Sequence, residues 1–379
     1  MILYKKATAH RRVSRKQLNI QKKETSAMRK ECSTVSFRDQ VIYVGIDVHK
    51  SSWQVSIRHC RHHLANFSMN PDALKLAEHL RRNYPEAEYR SVYEAGFCGF
   101  EIHRSLCGLG ILNIVINPAD VPTSGKERAN KNDCLDSRKL ARELENGSLE
   151  GIYIPQEDNL VLRNLTRRET QLTGNIIRAK NRIKSHLYFN GLKFRSWSGS
   201  SLKIMESDAV KRHDFALCSL LRELRFLRLE KLQVVRDEKE CLKFLNREKT
   251  QENLQSIPGI GFRTAVVLQS ELWDLKRFPD KDHFKSYVGL APRLVGSGEH
   301  EEVKSAGNRK KKQLHYLLIE SAWRAARFNL EYRARYGLLI AKGISPQCAI
   351  TIIAKKLLMS IHAVWTQERN FKVLLPGTK

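Results

Sequence analysis

The sequence predicts an α/β domain followed by a helical second half (α/β + α), and three observations carry that expectation. Runs rich in β-branched and aromatic residues crowd into residues 41–118 and stop by about 156. Long stretches with apolar residues at helical spacing follow. Glycine- and proline-bearing breaks separate the stretches.

Residues 1–40 are polar and basic, with almost no apolar periodicity, and read as a disordered arm. Contact with nucleic acid and an over-extended start without a role are both open for it. From 41, VIYVGIDVHKSSWQVSIR reads as two strands joined at Lys50-Ser51-Ser52, and HLANFSM as a third. NPDALKLAEHLRRNY has helical apolar spacing at Leu74, Leu76, Ala77 and Leu80. YRSVYEA is a strand, GFEIHRSLCGLG a helix ended by glycine, and ILNIVINP a buried strand stopped by proline. VPTSGKERANKND is a loop, and CLDSRKLARELENG is a helix, again ended by glycine. Three antiparallel strands followed by alternating helices and strands imply one mixed sheet covered by helices, compatible with a ribonuclease H-like domain over 41–155.

Over 156–250, Leu162, Leu165, Leu172, Ile176, Ile183 and Leu187 form the apolar stripe of a long helix, nearly heptad in places. GLKFRSWSGSS breaks it, and a second long helix begins at FALCSLL. A helical hairpin or coiled-coil arm is expected, with packing or pairing to a second copy as the two uses of the stripes. The region 251–379 reads as a compact, mostly helical domain. Within it, SIPGIGFRTAVVLQSEL places Gly259 and Gly261 before a helix, a helix-hairpin-helix-like turn whose N–H groups can cradle phosphate. The same residues also suit an ordinary tight turn. The stretch SPQCAITIIAKKLLMSIHAVW reads as a final amphipathic core helix.

The formal charge of +27 makes a polyanion the natural partner, since lysines and arginines displace counterions from nucleic acid. No basic amphipathic membrane anchor and no run long enough to cross a bilayer stand out, and the start lacks the apolar core of a secretory signal. The 8 cysteines include no C-x-x-C pair, which argues against a zinc site and for reduced thiols.

The acidic residues that carry chemistry lie among basic ones. Asp47 sits in the first strand, within an apolar run where a carboxylate needs a partner. Glu94 ends the strand YRSVYEA, and Asp133 and Asp136, three apart, share a helix face. If the first and fourth strands are neighbours, these carboxylates converge, and divalent cations relieve their repulsion. Two such ions about 4 Å apart stabilise the attacking and leaving oxygens of a phosphodiester. Lys131, Arg138 and Lys139 then suit an anionic backbone. Each acid by itself, Asp47 excepted, is also an ordinary surface charge. His49 and His300 read as solvent or packing residues, and Trp53, Tyr93 and Phe97 as packing rings.

YVGIDVHK at 43–50, YEAGFCGF at 93–100 and INPADVPTSGKERANKNDCLDSRKLA at 116–141 resemble the DEDD-type transposases of bacterial insertion sequences, the family that includes the Piv DNA invertases. LQSIPGIGFRTA at 254–265, FKSYVGLAPRLVGSGEH at 284–300 and KSAGNRKKKQLHYLLI at 304–319 extend the resemblance in the same order. It implies a RuvC-like N-terminal domain, a C-terminal transposase domain, and a site-specific DNA recombinase in the bacterial cytoplasm, associated with the nucleoid. It implies a DEDD site of Asp47, Glu94, Asp133 and Asp136 holding Mg²⁺ (or Mn²⁺), and a serine nucleophile, best matched by Ser297, with Ser305 as the competitor. Many relatives carry two serines before the glycine where this chain has Gly296-Ser297-Gly298. The resemblance also implies donor and target DNA, a structured non-coding bridge RNA as guide, and a homodimer or homotetramer whose active site draws on both domains. Arg309, Lys310, Lys311 and Lys312 are the expected phosphate contacts. A Holliday-junction-resolvase-like nuclease, using the acids and water alone, is the alternative.

Overall fold

The structure is a computed structural model that describes residues 36–122, 133–291, 293–297, 300–304 and 311–372. Most of the basic arm (1–35), Lys131, Ser305, Arg309 and Lys310 lie outside the described residues. The chain divides into two compact units, one ending at Ile154 and the other starting at Pro155.

In the first unit, β1 (Val41–Val48), β2 (Trp53–His59) and β3 (His62–Met69) form an antiparallel meander. Helix α1 (Ala73–Asn83) follows, started by Asp72, whose carboxylate accepts from the Lys75 amide at 3.1 Å. Then come β4 (Glu88–Glu94), α2 (Glu101–Gly108), β5 (Leu112–Ile116) and, past undescribed residues, α3 (Asp133–Glu145). The sheet order is β3-β2-β1-β4-β5, with β1, β4 and β5 mutually parallel. This mixed five-stranded sheet, with a mostly helical remainder of the chain, fits a ribonuclease H-like α/β plus helical fold.

Strand alternation assigns the two faces. Ile42, Val44 and Ile46 are fully buried with Val55, Ile57, Leu76, Leu80, Tyr93 and Leu106, the face covered by α1 and α2. On the other face, Leu140 of α3 packs with Val92, Ile116 and Val121. Gly45 lies on this second face, opposite Ser56. A Cβ added there would fall 2.1 Å from the Ser137 carbonyl oxygen and 2.5 Å from the Ala141 nitrogen. The absent side chain is therefore what lets the α3 backbone rest on β1. The far end of α3 is tied to β2 by an Arg58–Glu145 ion pair of 2.9 Å.

The second unit holds α4 (Glu157–Phe189), α5 (Gly199–Lys211), α6 (Phe215–Phe244), α7 (Glu248–Gln255), α8 (Phe262–Leu272) and α9 (Lys281–Tyr287). A hairpin of β6 (Arg293–Ser297) and β7 (His300–Lys304) precedes α10 (Lys312–Phe328), α11 (Leu330–Ala341) and α12 (Pro346–Thr366). The stripe read on α4 is a packing surface: Leu172, Ala179, Ile183 and Leu187 bury against Leu217, Leu221, Leu224 and Leu227 of α6. The first turns of α4 instead join α8, where Asn159 donates to the Ser270 carbonyl at 2.6 Å and Arg163 pairs with Glu271 at 2.9 Å.

The sequence reading departs from this structure in three places. Helix α5 fills a stretch passed over between the two long helices, because its N-terminus sits in a serine-rich run that reads as loop until Ser198 is seen to cap it. Strands do not end at 156, since residues read as a glycine-rich loop form the β6–β7 hairpin. Helix α12 is, by length and composition, long and apolar enough to cross a membrane, although Lys355 and Lys356 interrupt its apolar run. Its Ile350, Ile353, Leu357, Leu358, Ile361 and Val364 are buried in the core of this unit.

Candidate metal centre

Asp47 lies two residues beyond Gly45, on the same face of β1 and near the strand's C-terminal end. In the parallel β1–β4 pair, Gly45 is opposite Val92 and Ile46 opposite Tyr93, so the next step sets Asp47 beside Glu94 on the α3 face. Asp133 and Asp136 occupy the first turn of α3. The close approach permitted by Gly45 thus brings the helix's acidic end over the strand's acidic end.

The side chains converge in part. His49 Nε2 lies 3.2 Å from Asp47 Oδ2 and 3.2 Å from Asp133 Oδ2, and one ligand atom from each of Asp47, His49 and Asp133 falls within 4.8 Å of the others. Burial holds the Asp47 carboxyl above its usual pKa, helped by the negative fields of Asp133 and Asp136 and opposed by His49. Asp136 therefore acts on Asp47 without joining the tight group. Glu94 shares the face by register but is not part of that group either. His49, set aside as a bystander on its sequence, is a member. Its position two residues after Asp47, in the tight β1–β2 connection, is the signal that could have placed it.

A second set of residues fixes the helix end. Gln54, opposite Asp47 on β2, donates to Asn66 of β3. Asn66 in turn donates to the Ser137 hydroxyl at 3.3 Å, and that hydroxyl donates to the Cys134 carbonyl at 3.2 Å. The sheet thereby holds the turn that carries Asp133 and Asp136, a role invisible without the strand register.

Two carboxylates and an imidazole, on a carboxyl already destabilised by like charge, suit a divalent cation. Of the flanking cations, Arg138 is exposed and Lys139 half-buried on α3. In the second unit, Ser297 ends β6 and is paired in register with His300. Lys311 and Lys312 are exposed at the start of α10, with Lys311 Nζ 5.6 Å from the Tyr287 ring. Gly259 has φ +88, and an added Cβ would fall 2.2 Å from the Ser321 carbonyl oxygen of α10, so this glycine serves helix packing. Around Gly261, at the N-terminus of α8, a Cβ would meet open space.

Known proteins resemble this chain over both units. Residues 44–190 match the profile of the DEDD transposases of the IS110 type, and residues 251–337 match that described as the transposase IS116/IS110/IS902 family. The transposase for insertion sequence element IS1111A of Coxiella burnetii is 28% identical over 238 residues, 59% of this chain and 63% of that protein. The transposase for insertion sequence element IS1328 of Yersinia enterocolitica is 25% identical over 303 residues, 78% of this chain and 86% of its own length. The corresponding protein for IS1533 of Leptospira borgpetersenii is 25% identical over 308 residues, covering 74% and 84% respectively. Asp47 and the acid-bearing helix lie inside the first matched segment, and the serine hairpin inside the second. The chain accordingly belongs to the IS110-type DEDD transposases, enzymes of DNA transposition and recombination.

Proposed function

We propose that this transposase cuts and rejoins donor and target DNA as a site-specific recombinase of an insertion sequence. Asp47, Glu94, Asp133 and Asp136 form its metal-holding set, with His49 at its edge, and Ser297 is its nucleophile. The observation that carries the reading is the meeting of Asp47, His49 and Asp133 where α3 crosses the end of β1. A divalent ion held there, Mg²⁺ or Mn²⁺, supplies Lewis-acid stabilisation of a phosphoryl oxygen. The Ser297 hydroxyl attacks the phosphorus of a phosphodiester, its Oγ–P bond forming as the bond to one sugar oxygen breaks. The serine's proton is lost and the departing sugar oxygen gains one. The hydroxyl of a second strand then attacks the phosphoserine, restoring the serine and sealing the new junction.

In this reading a structured non-coding RNA pairs with donor and target, and the protein holds both through backbone contacts. Arg138, Lys139, Lys311 and Lys312 serve that grip, with Lys131, Arg309 and Lys310 beside them in sequence. The open N-terminus of α8 at Gly261 offers amides to a phosphate, and the α4–α6 pair joins copies into a dimer or tetramer as a coiled coil. A nuclease that uses water alone would have no use for the glycine-flanked serine, so that alternative is not favoured.

The test is a protease-trimmed covalent DNA adduct. Ser297→Ala is expected to abolish it while DNA binding persists. An adduct that survives Ser297→Ala and disappears in Ser305→Ala would move the nucleophile to Ser305. Sequencing the RNA that co-purifies with the chain and its flanking DNA tests the guide, because bulk cellular RNA alone would remove it.

A further inference from the structure

Residues 190–198, between α4 and α5, bring two aromatic rings to the side of the α4–α6 pair. Phe194 and Trp197 have ring centroids 4.6 Å apart. Each carries an ammonium over its face: Lys184 Nζ is 4.7 Å from the Phe194 centroid, and Lys180 Nζ is 5.4 Å from that of Trp197. Lys180 and Lys184 are one turn apart on α4 and so project from one face. From α6, Arg228 donates to the Trp197 carbonyl at 3.5 Å.

The cluster is electrostatically unbalanced. Burial, and then the fields of Arg228, Lys184 and Lys231, press the Lys180 ammonium below its ordinary pKa. Lys231 has its own partner in Glu169 at 2.8 Å. Among the described residues, Lys180, Lys184 and Arg228 form no ion pair with a carboxylate, whereas the neighbouring Arg182 and Arg225 are neutralised by Glu223 and Glu206. Like charges held together by rings and a carbonyl, beside arginines that are matched, mark a place where an external anion completes the balance.

We infer that Lys180, Lys184 and Arg228 form a phosphate clamp for duplex DNA on the helical segment, with Phe194 and Trp197 as the posts that hold the two ammoniums. The occupant follows from the rings. Proteins that hold single strands stack bases on open aromatic faces. Here both rings are half-buried and each has a lysine over it, leaving no platform for a base. A duplex keeps its bases stacked and turns its phosphates outward. The grip is independent of base sequence and rests on the reading that the chain's substrate is DNA.

The experiment is anisotropy of a labelled random-sequence DNA duplex with the full chain, across a salt series. Replacing Lys180, Lys184 and Arg228 together by Gln should lower the slope of log K against log salt by about 2 to 3, since each phosphate contact contributes about 0.9. Lys180→Arg with Lys184→Arg should restore most of the slope. Lys180→Gln alone, which leaves the Arg228–Trp197 contact in place, should lower it by about 1. An unchanged slope in a triple variant with the wild-type melting temperature overturns the clamp. A loss confined to a matched RNA duplex or to single strands overturns the assignment to duplex DNA. A wild-type chain that binds no DNA duplex at any salt overturns the DNA reading beneath it, a separate failure.

Discussion

Two carboxyl groups, one in each unit, are pushed up by burial and by neighbouring carboxylates, and they end differently. Asp47 faces Asp133 and Asp136, and among the described residues the counterweight acting on it is a histidine. Glu238 of α6 is buried beside Glu169 and is pushed up to about 7, but Arg263 and Lys231 oppose that shift. Those cations bind Glu169 directly, Lys231 at 2.8 Å and Arg263 at 2.8 Å. Where the fold brings its own lysine and arginine, a carboxylate pair becomes internal scaffolding. Where it brings an imidazole at a half-open edge, the missing charge is left to an ion from solution.

The comparison breaks most sharply on activity. Asp47→Asn or Asp133→Asn should reduce DNA strand cleavage by roughly a thousandfold or more, the scale of a lost metal contribution to the transition state. Glu238→Gln should leave cleavage near wild type at the same temperature. Equal losses from both would erase the distinction.

The second test is pH. The unfolded chain releases the Glu238 proton near the ordinary glutamate value of 4.5, whereas the folded chain keeps it until about 7. Folding therefore retains a proton across that window, and stability contributed by this group is full below it and falls as pH rises through it. The loss is on the order of 3 kcal/mol. Denaturant melts from pH 4.5 to 8 should show the fall in the wild type and a flatter profile in Glu238→Gln.

Third, Gly45→Ala places a methyl against the α3 backbone and should cost about 1–3 kcal/mol by overpacking. Because the strain separates the acid-bearing strand from the acid-bearing helix, Mg²⁺ or Mn²⁺ should also raise its melting temperature less than that of the wild type. A full ion-induced shift in Gly45→Ala would show that the centre does not depend on this contact. The smallest effect is expected at Gly261→Ala, where a Cβ meets open space and stability should change by less than about 0.5 kcal/mol. Gly259→Ala, two residues away, should destabilise the second unit severely, because its Cβ would enter the α10 backbone.

Much of the sheet was legible because its strands are locally written: alternation and β-branched runs mark VIYVGIDV and WQVSIR without reference to anything distant. Asp47 and Asp133, which the structure brings together with His49, were legible as candidates because they lie in segments of recognisable type. Long-range geometry was not. His49 reads as a turn residue until α3 folds over the strand end and places Asp133 on its other side. The Gln54–Asn66–Ser137 chain exists through strand register and a helix 71 residues from Asn66. At Gly259 the local sequence offers a phosphate turn but does not reveal that a second helix passes against it. In β6, a run read for its glycines proved to be one arm of a hairpin, since strand pairing is supplied by its partner, HEEVK.

The bare backbone of Gly45 separates two properties that are usually entangled in a DNA enzyme. Strand and helix meet there main chain to main chain, so how closely α3 approaches β1 is set by atoms common to every amino acid. The solvent side of the same helix, where Arg138 stands, takes no part in that spacing. If Arg138 grips DNA as proposed, that hold can be retuned by resurfacing the helix, through drift or by design, without moving the strand–helix contact beneath.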